Sequence, residues 1–466
     1  QLFHKKGRML IATLRYSNVQ DEQTGSLNSL NQFFLSGVLD STLVTDQVKT
    51  GSGHSQTYGG KITYNEPITA KWNLVTEYSY NGNNSTARRN TFERDPNGKY
   101  TVLNPLYSNN FDLNAYANTG IVTMRYMGKK LKSAFGGGIS AVQLGVNNLD
   151  QGEHHVYNFT NFTPQVQFSY ALKTQTNIGF RYNGQTRQPT IDQLQPIRNN
   201  NDPLNVFIGN PNLKVGFNHN FNLWYNSFQI LKGRYMYIGL GFNLEQNQIA
   251  NYSIVDSFGK ATNTPINVHG SNNYYLYGGW MSGQGDKKLI WELNTNTNGG
   301  RNVTFINGRE SINNYANIEW SIAARYSIQE KYNFRIGPKI GRNISQSSLR
   351  KDVNNSYWVY GGHAEGWVQL PWKLEVSSDA DFDLRQHIPA LAGNLNIILW
   401  NAELARKIFK DKTGKIIFRA NDILNQNKGY NRIINSNFVT DQRYQKVGQY
   451  FMLTFQWTFT KMPGQK

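Results

Sequence analysis

Along Tyr450–Thr460 the side chains alternate between two characters. Phe451, Leu453, Phe455, Trp457 and Phe459 take one parity, and Thr454, Gln456, Thr458 and Thr460 take most of the other. An extended strand points successive side chains to opposite faces, so this segment has an aromatic face and a polar one. A soluble domain could bury the aromatic face in a core. A barrel in a membrane would give it to lipid and turn the polar face to a wet interior. Recurrence decides between the two. The same period-two pattern runs through Trp72, Leu74, Thr76, Tyr78 and Tyr80, through Val166, Phe168, Tyr170 and Leu172, and through Ile178, Phe180 and Tyr182. It returns in Met236–Leu244, in Leu289, Trp291 and Leu293, and in Ile318, Trp320, Ile322 and Tyr326. Each unit is about ten residues, the length of a tilted strand crossing a bilayer.

Connections alternate in length as regularly as side chains alternate in polarity. Short ones fall at Asn65–Ala70, Gly128–Leu131, Lys173–Gln175, Leu231–Gly233, Gly285–Lys288, Gln329–Lys331, Pro371–Lys373 and Lys410–Gly414. Between them lie stretches rich in Asn, Gly, Ser and Asp: Asn18–Gly53, Gly82–Asn118, Gln188–Lys214 and Asn427–Gln449. Such composition predicts loops. Short turns on one rim and long loops on the other is the asymmetry of outer-membrane barrels; a sandwich or propeller has no reason to sort its loops this way. The pattern predicts an all-β, antiparallel transmembrane barrel with about eighteen strands in view. No repeat of fixed period argues for a propeller or solenoid. Pro338 interrupts the segment Phe334–Ile344, and because proline removes a ladder donor, a bulge or a shortened strand is expected there. Lys129, Lys130, Lys173, Lys232, Lys287, Lys288, Lys331 and Lys373 all sit at or beside short connections. They predict a basic rim facing the periplasm, although lysine keeping turns soluble accounts for them equally well.

Composition narrows the class further. Aromatic residues make up 13% of the 466 and charged residues only 17%, against roughly a quarter charged in soluble domains. Mean hydropathy is nonetheless negative, and no run approaches the ~18 apolar residues of a membrane-spanning helix. With helices excluded, a closed β-barrel is the remaining structure that satisfies every backbone group in lipid. There is no cysteine, hence no disulfide framework or thiolate site. Gln1–Gly7 is polar and a strand-like pattern begins at Arg8, so either a secretory signal has been removed or the chain starts partway through a longer protein. The net charge of +18 is scattered, with no run longer than a pair. A phosphate track needs clustered cations, so no nucleic-acid partner is expected.

No catalytic, cofactor or metal signature is present, and an enzyme is not expected. The histidine pair His154-His155, after Glu153, falls in an expected loop and lacks a third defined ligand, which favours a solvated face over a metal site. One charge pattern stands out. Leu374, Val376, Ala380, Phe382 and Leu384 take one parity; Glu375, Asp379, Asp381, Asp383 and Arg385 take the other. With the apolar set toward lipid, Glu375, Asp379, Asp381 and Asp383 line the lumen, joined by Arg335 and Lys339 two strands earlier. Charges on the lipid face would cost roughly 2–4 kcal/mol for a mid-bilayer Arg or Lys. Two roles stay open for these charges: wall residues paired with one another or with a plug, and a path for substrate.

Several segments go beyond pattern. The stretch Arg187-Gln-Pro-Thr-Ile-Asp-Gln-Leu194, followed by Gly209-Asn-Pro-Asn-Leu-Lys214, resembles a passage of TonB-dependent receptors. Leu399-Trp-Asn-Ala402, Asp422-Ile-Leu-Asn-Gln-Asn427 and Tyr450-Phe-Met-Leu453 resemble the closing hairpins of the outer-membrane β-barrel receptors of Bacteroidota. By their residue types alone, Gly209-Asn-Pro-Asn is a turn and Asp422–Asn427 a strand end. The resemblance implies a multi-pass protein of the bacterial outer membrane, surrounded by lipid and lipopolysaccharide. It implies ligand uptake through a plugged barrel of the 22-stranded class, driven by TonB. A surface lipoprotein or other subunits of an outer-membrane complex are the further partners it suggests. Residues 1–466 would then be the barrel domain, lacking the plug and the first strands. The alternative is a non-transporting or porin-like barrel subunit of a larger outer-membrane complex. Lys446, Gly448, Phe451 and Leu453, with the strand running on to Phe459, have the spacing that resembles the signal read by the barrel-insertion machinery. The final strand is expected to close the barrel against the first.

Overall fold

The computed structural model describes residues 3–194, 198–229, 233–283, 288–328, 331–349, 356–386, 396–409, 413–434 and 439–458; for 199, 430–434 and 439–443 it describes the backbone. Eighteen strands follow one another around one sheet. They are β1 (Met9–Leu35), β2 (Val38–Pro67), β3 (Trp72–Arg94), β4 (Asn109–Met127), β5 (Leu131–Asn148) and β6 (Gln165–Lys173). Next come β7 (Thr176–Arg187), β8 (Gly216–Gln229), β9 (Arg234–Gln246), β10 (Ser271–Ser282), β11 (Leu289–Ile306) and β12 (Arg309–Ile328). The last six are β13 (Tyr332–Ser347), β14 (Tyr357–Leu370), β15 (Leu374–Arg385), β16 (Ile397–Ile408), β17 (Gly414–Asn421) and β18 (Tyr450–Trp457). Each pairs antiparallel with the next. The strand ends place all eight expected short turns on one rim, from the β2–β3 turn to the β16–β17 turn.

Register carries the alternation from strand to strand, because partners across a ladder share a face. One row runs Phe168, Phe180, Leu223, Leu240 and Leu276. Another runs Trp320, Ile340, Tyr360 and Leu384. A third runs Val368, Val376, Leu404, Phe418 and Leu453, with Leu453 74% exposed. The result is a continuous exposed apolar band, far more than a water-soluble monomer leaves uncovered. The opposite face is polar: Asn183, Asn220, Asn243 and Asn273 make one row.

Three expectations need correction. The polar stretches Asn18–Gly53 and Gly82–Asn118 are for the most part not loops. β1 and β2 stay paired to a tight turn at Ser36 and Gly37, whose positive φ values of 51° and 84° suit a hairpin turn. β3 and β4 likewise stay paired as far as Arg89 and Asn109. Beyond the lipid-facing band the strands need no apolar parity, but the hydrogen-bond ladder still holds them, so loop-like composition hid paired strand. At Pro338 the strand is neither bulged nor cut short. β13 runs through, and its register with β12 is the same on both sides of the proline, although the ladder has no pairs at Gly337 and Pro338 themselves. Gly362, directly opposite Pro338, makes room: a Cβ there would stand 2.7 Å from the Gly337 carbonyl oxygen. Finally, β18 pairs with β17 and β1 with β2, but no ladder joins β18 to β1 among the described residues.

On the long-connection side, residues between β7 and β8 turn back over the sheet. This excursion holds one helical turn (Ile191–Leu194) and the short strand Asn205–Ile208. Leu194 and Leu213 pack there with Phe111, Leu113, Leu144, Val146 and Ile249 in a buried cluster. Phe111 and Leu113 share the parity of Thr123 and Arg125 in β4, opposite to that of Val122 and Met124, so the excursion covers the polar side of the sheet at its mouth.

Candidate functional site

The charged residues singled out from sequence gather on one sector of the polar face. Arg335, Glu365 and Asp379 stand in one cross-strand row with Arg325 and Asn401. Asp381 pairs across the ladder with His363, and Asp383 and Lys339 both pair with Gly361. Leu374, Val376 and Leu384 lie on the other face in apolar rows, so parity sorts β15 as the sequence pattern requires.

Within this sector the charges find one another. Arg335 Nη2 donates to Glu292 Oε2 at 2.8 Å, and Lys339 Nζ lies 3.6 Å from Glu319. Glu375, 7% exposed at its side chain, receives Lys407 at 2.6 Å and Lys415 at 2.8 Å. Asp379 accepts a 2.7 Å hydrogen bond from the Asn401 amide and has Arg419 at 3.9 Å. His363 Nδ1 is 2.7 Å from Asp381, and its Nε2 is 3.5 Å from Glu365. Asp383 has no ion pair among the described residues. A wall of alternating fixed charges can hold ordered water and counter-ions, orient a polar solute, and stiffen the strands that bear it.

Sequence reasoning missed the partners Glu292, Glu319, His363, Glu365, Lys407, Lys415 and Arg419. Each lies on the polar parity of its strand, so the signal was there residue by residue. Their pairing depends on register across strands distant in sequence. The motif residues were also undervalued. Asn401 bridges Asp379 and the backbone N–H of Asp422 (2.9 Å), and the Asp422 carboxylate accepts the N–H groups of Gln426 and Asn427, both at 2.9 Å. In the other motif, Asn210 accepts from the Asn212 N–H at 3.0 Å and donates to the Pro265 carbonyl at 3.0 Å, pinning the Gly-Asn-Pro-Asn turn.

Of the assembly signal, Lys446 and Gly448 lie just before β18, where the Asn427 amide donates to the Val447 carbonyl at 2.8 Å. Phe451 stacks with Phe418 at 6.1 Å, and Leu453 is in the apolar band. Phe459 lies outside the described residues, as do Lys232 and Lys287 of the basic rim. Lys129, Lys130, Lys173, Lys288, Lys331 and Lys373 sit at the short turns, and Lys373 donates to the Phe409 carbonyl of the neighbouring turn at 3.1 Å. His155 lies 3.1 Å from Glu153 in a strand, Glu153–Phe162, not in a loop.

The model of the outer membrane protein beta-barrel family matches residues 1–341. No curated protein matches the chain in sequence. Among solved structures it is similar to the copper transporter OprC, with 8% identity and TM-score 0.43 over 97% of this chain and 83% of that one. It is similar to the ferric yersiniabactin uptake receptor FyuA from Yersinia pestis, with 9% identity and TM-score 0.43 over 96% and 68%. It is also similar to the RagAB peptide importer in its closed-closed state, with 8% identity and TM-score 0.45 over 98% and 71%.

Proposed function

This chain belongs to the outer membrane protein beta-barrel family, and from that premise we propose that it forms the wall of a receptor that takes up a ligand. It is an all-β, multi-pass protein of the bacterial outer membrane. The observation that carries the proposal is the hydrophilic inner face of a very wide sheet. Barrels of sixteen to eighteen strands already leave an aqueous channel, and wider ones hold a plug. Here that face holds amides and charges from β7 to β17.

The outer edges of β1 and β18 have no partner among the described residues, and in lipid such an edge must be satisfied. About four further strands would complete a barrel of the 22-stranded, plugged class. In that form TonB drives uptake, the basic short-turn rim faces the periplasm, and a surface lipoprotein or another complex subunit covers the mouth. The test is solute entry into cells with and without proton-motive force. Entry that needs both this chain and the energised state supports the proposal; entry unaffected by its deletion overturns it. The rival reading, a scaffold barrel that conducts nothing, draws on the mutual pairing of most wall charges.

Insertion tests the role of the last strand. Deleting Phe451–Phe459 removes the ladder on β17 and is expected to abolish membrane insertion. Deleting residues 95–99, outside the β3–β4 ladder, should spare it. Equal surface abundance of the two variants would show that β18 is dispensable.

A further inference from the structure

At the mouth, on the polar side, a cavity of about 640 Å³ lies between the outer ends of β1–β3 and the excursion between β7 and β8. Its size is that of a small-molecule site. Its walls hold three cations, Lys49, Arg89 and Arg198, and one carboxylate, Asp192. Lys49 pairs with Thr91 and Arg89 with Gly51 across the β2–β3 ladder. That makes the two cations diagonal neighbours on one face, about 7–8 Å apart along the backbone. Arg198 comes from the roof. Among the described residues neither arginine has an ion-pair partner.

The roof is fixed in place. Lys49 Nζ donates to Asn200 Oδ1 at 2.7 Å and to Asn201 Oδ1 at 2.9 Å, and the buried Asn200 amide donates to Gln47 at 3.0 Å. Lys49 therefore has carbonyl oxygens and no carboxylate, while burial pushes its ammonium below the usual lysine range. The floor is bare at Gly25, where an added Cβ would meet nothing within 4 Å.

We propose that this cavity binds a small hydrophilic ligand bearing an oxyanion, a carboxylate or a phosphate, held by Lys49 and Arg89 from the wall and by Arg198 from the roof. Guanidinium groups match such oxygens with paired hydrogen bonds. Asn90 and Tyr107, which also line the cavity, supply donors and acceptors for the ligand's hydroxyl or amide groups. Excess positive charge over a single Asp192 sets the sign of the ligand. The inference rests on reading this side as the outer mouth of an uptake barrel.

The test is calorimetric titration of the detergent-solubilised protein with glucuronate, glucose 6-phosphate, inorganic phosphate and glucose. At least one anionic sugar is expected to bind tenfold or more tightly than glucose, and to weaken as salt rises. Preference for glucuronate marks a carboxylate ligand; preference for glucose 6-phosphate and inorganic phosphate marks a phosphate ligand. Arg89→Gln should weaken that binding about tenfold, the loss of one charged hydrogen-bonding partner. Gly25→Trp, whose Cβ meets no neighbour within 4 Å, places a large ring at the floor and should abolish it. Unchanged heat-modifiable migration on gels shows that both variants are folded. The proposal is overturned if glucose binds as well as the anions, if no anion binds, or if both variants bind as before. Binding in micelles needs no transport. Binding without uptake in cells therefore sinks the receptor reading alone, and uptake with charge-indifferent binding sinks this one alone.

Discussion

Two sectors of the same polar face are built on opposite physics. From β7 to β10 the wall is built mainly of amides and held by shape, its charges being Arg181 on β7 and, at the outer end, Arg187 standing 3.6 Å from Glu245. Asn243 donates to Asn273 at 2.5 Å in a ladder of amides, and aromatic rings fill the places of missing side chains. Tyr277 lies over Gly239 and Tyr275 over Gly241, so that a Cβ at Gly239 would stand 2.2 Å from the Tyr277 ring. From β11 to β17 the wall is charged and held by complementarity, with Glu375 between Lys407 and Lys415 and Arg335 on Glu292. The amide-rich middle of the first sector should be less sensitive to salt and pH than to changes of volume. The charged sector should behave the other way round.

The largest effect is expected at Glu375. Glu375→Gln leaves the Lys407 and Lys415 ammonium groups facing each other with only Glu403, 3.9 Å from Lys415, as a carboxylate, and the loss should be on the order of 2–4 kcal/mol, since a poorly compensated charge in a confined site is costly. Unfolding by guanidinium in micelles measures it; a midpoint unchanged from wild type would mean that the lysines are solvated and the wall is not held by charge. In the amide-rich sector Gly239→Val should cost about 1–3 kcal/mol by overpacking, independently of salt. Tyr277→Ala in the same chain should restore part of it. No restoration would show that the aromatic-on-glycine contact is not the cause.

A charged cluster outside the lipid-facing band sharpens the contrast through pH. Arg8, then Lys5 and Tyr64, hold the Glu66 carboxyl well below the usual carboxylate range. A lowered carboxyl contributes stability that is complete above its unfolded-state pKa, about 4.3, and is lost as pH falls below that. Amide-exchange protection at the paired ends Met9 and Asn65 should therefore weaken as pH drops from about 5 toward 2. Glu66→Gln should flatten that dependence, and an identical pH profile in the variant would remove Glu66 from the account. The smallest effect belongs to Asp383, which has no ion pair among the described residues. Asp383→Asn should change stability by no more than about 0.5 kcal/mol, so a large loss there would mean that the charged wall extends farther toward the mouth.

Much of this was legible in the chain. Alternation over Phe451, Leu453 and Phe455 assigned an apolar face, and the placing of short turns counted the strands, because a period of two and a tight turn are local properties. The polar parity of Glu375, Asp379 and Asp381 was legible for the same reason. Local pattern went wrong where lipid no longer selects side chains. In Asn18–Gly53 the polar composition of a loop belongs to a ladder that β1 and β2 continue to Ser36 and Gly37. At Pro338 the ladder to β12 skips two residues without changing register, and glycine on the other neighbouring strand leaves room for the close approach, which no reading of β13 alone could find.

What only the tertiary structure decided is who meets whom. Glu375 gains Lys407 and Lys415 from β16 and β17, and Lys49 gains Asn200 from 151 residues away, through register and a folded-back excursion. Parity is dictated by the covalent geometry of each strand, whatever its neighbours. Pairing depends on how all the strands slide into alignment together, and a one-residue slip would hand every polar side chain to lipid. The sequence could therefore name the faces, while the charged wall and the cavity at the mouth exist only once the ladders are in place.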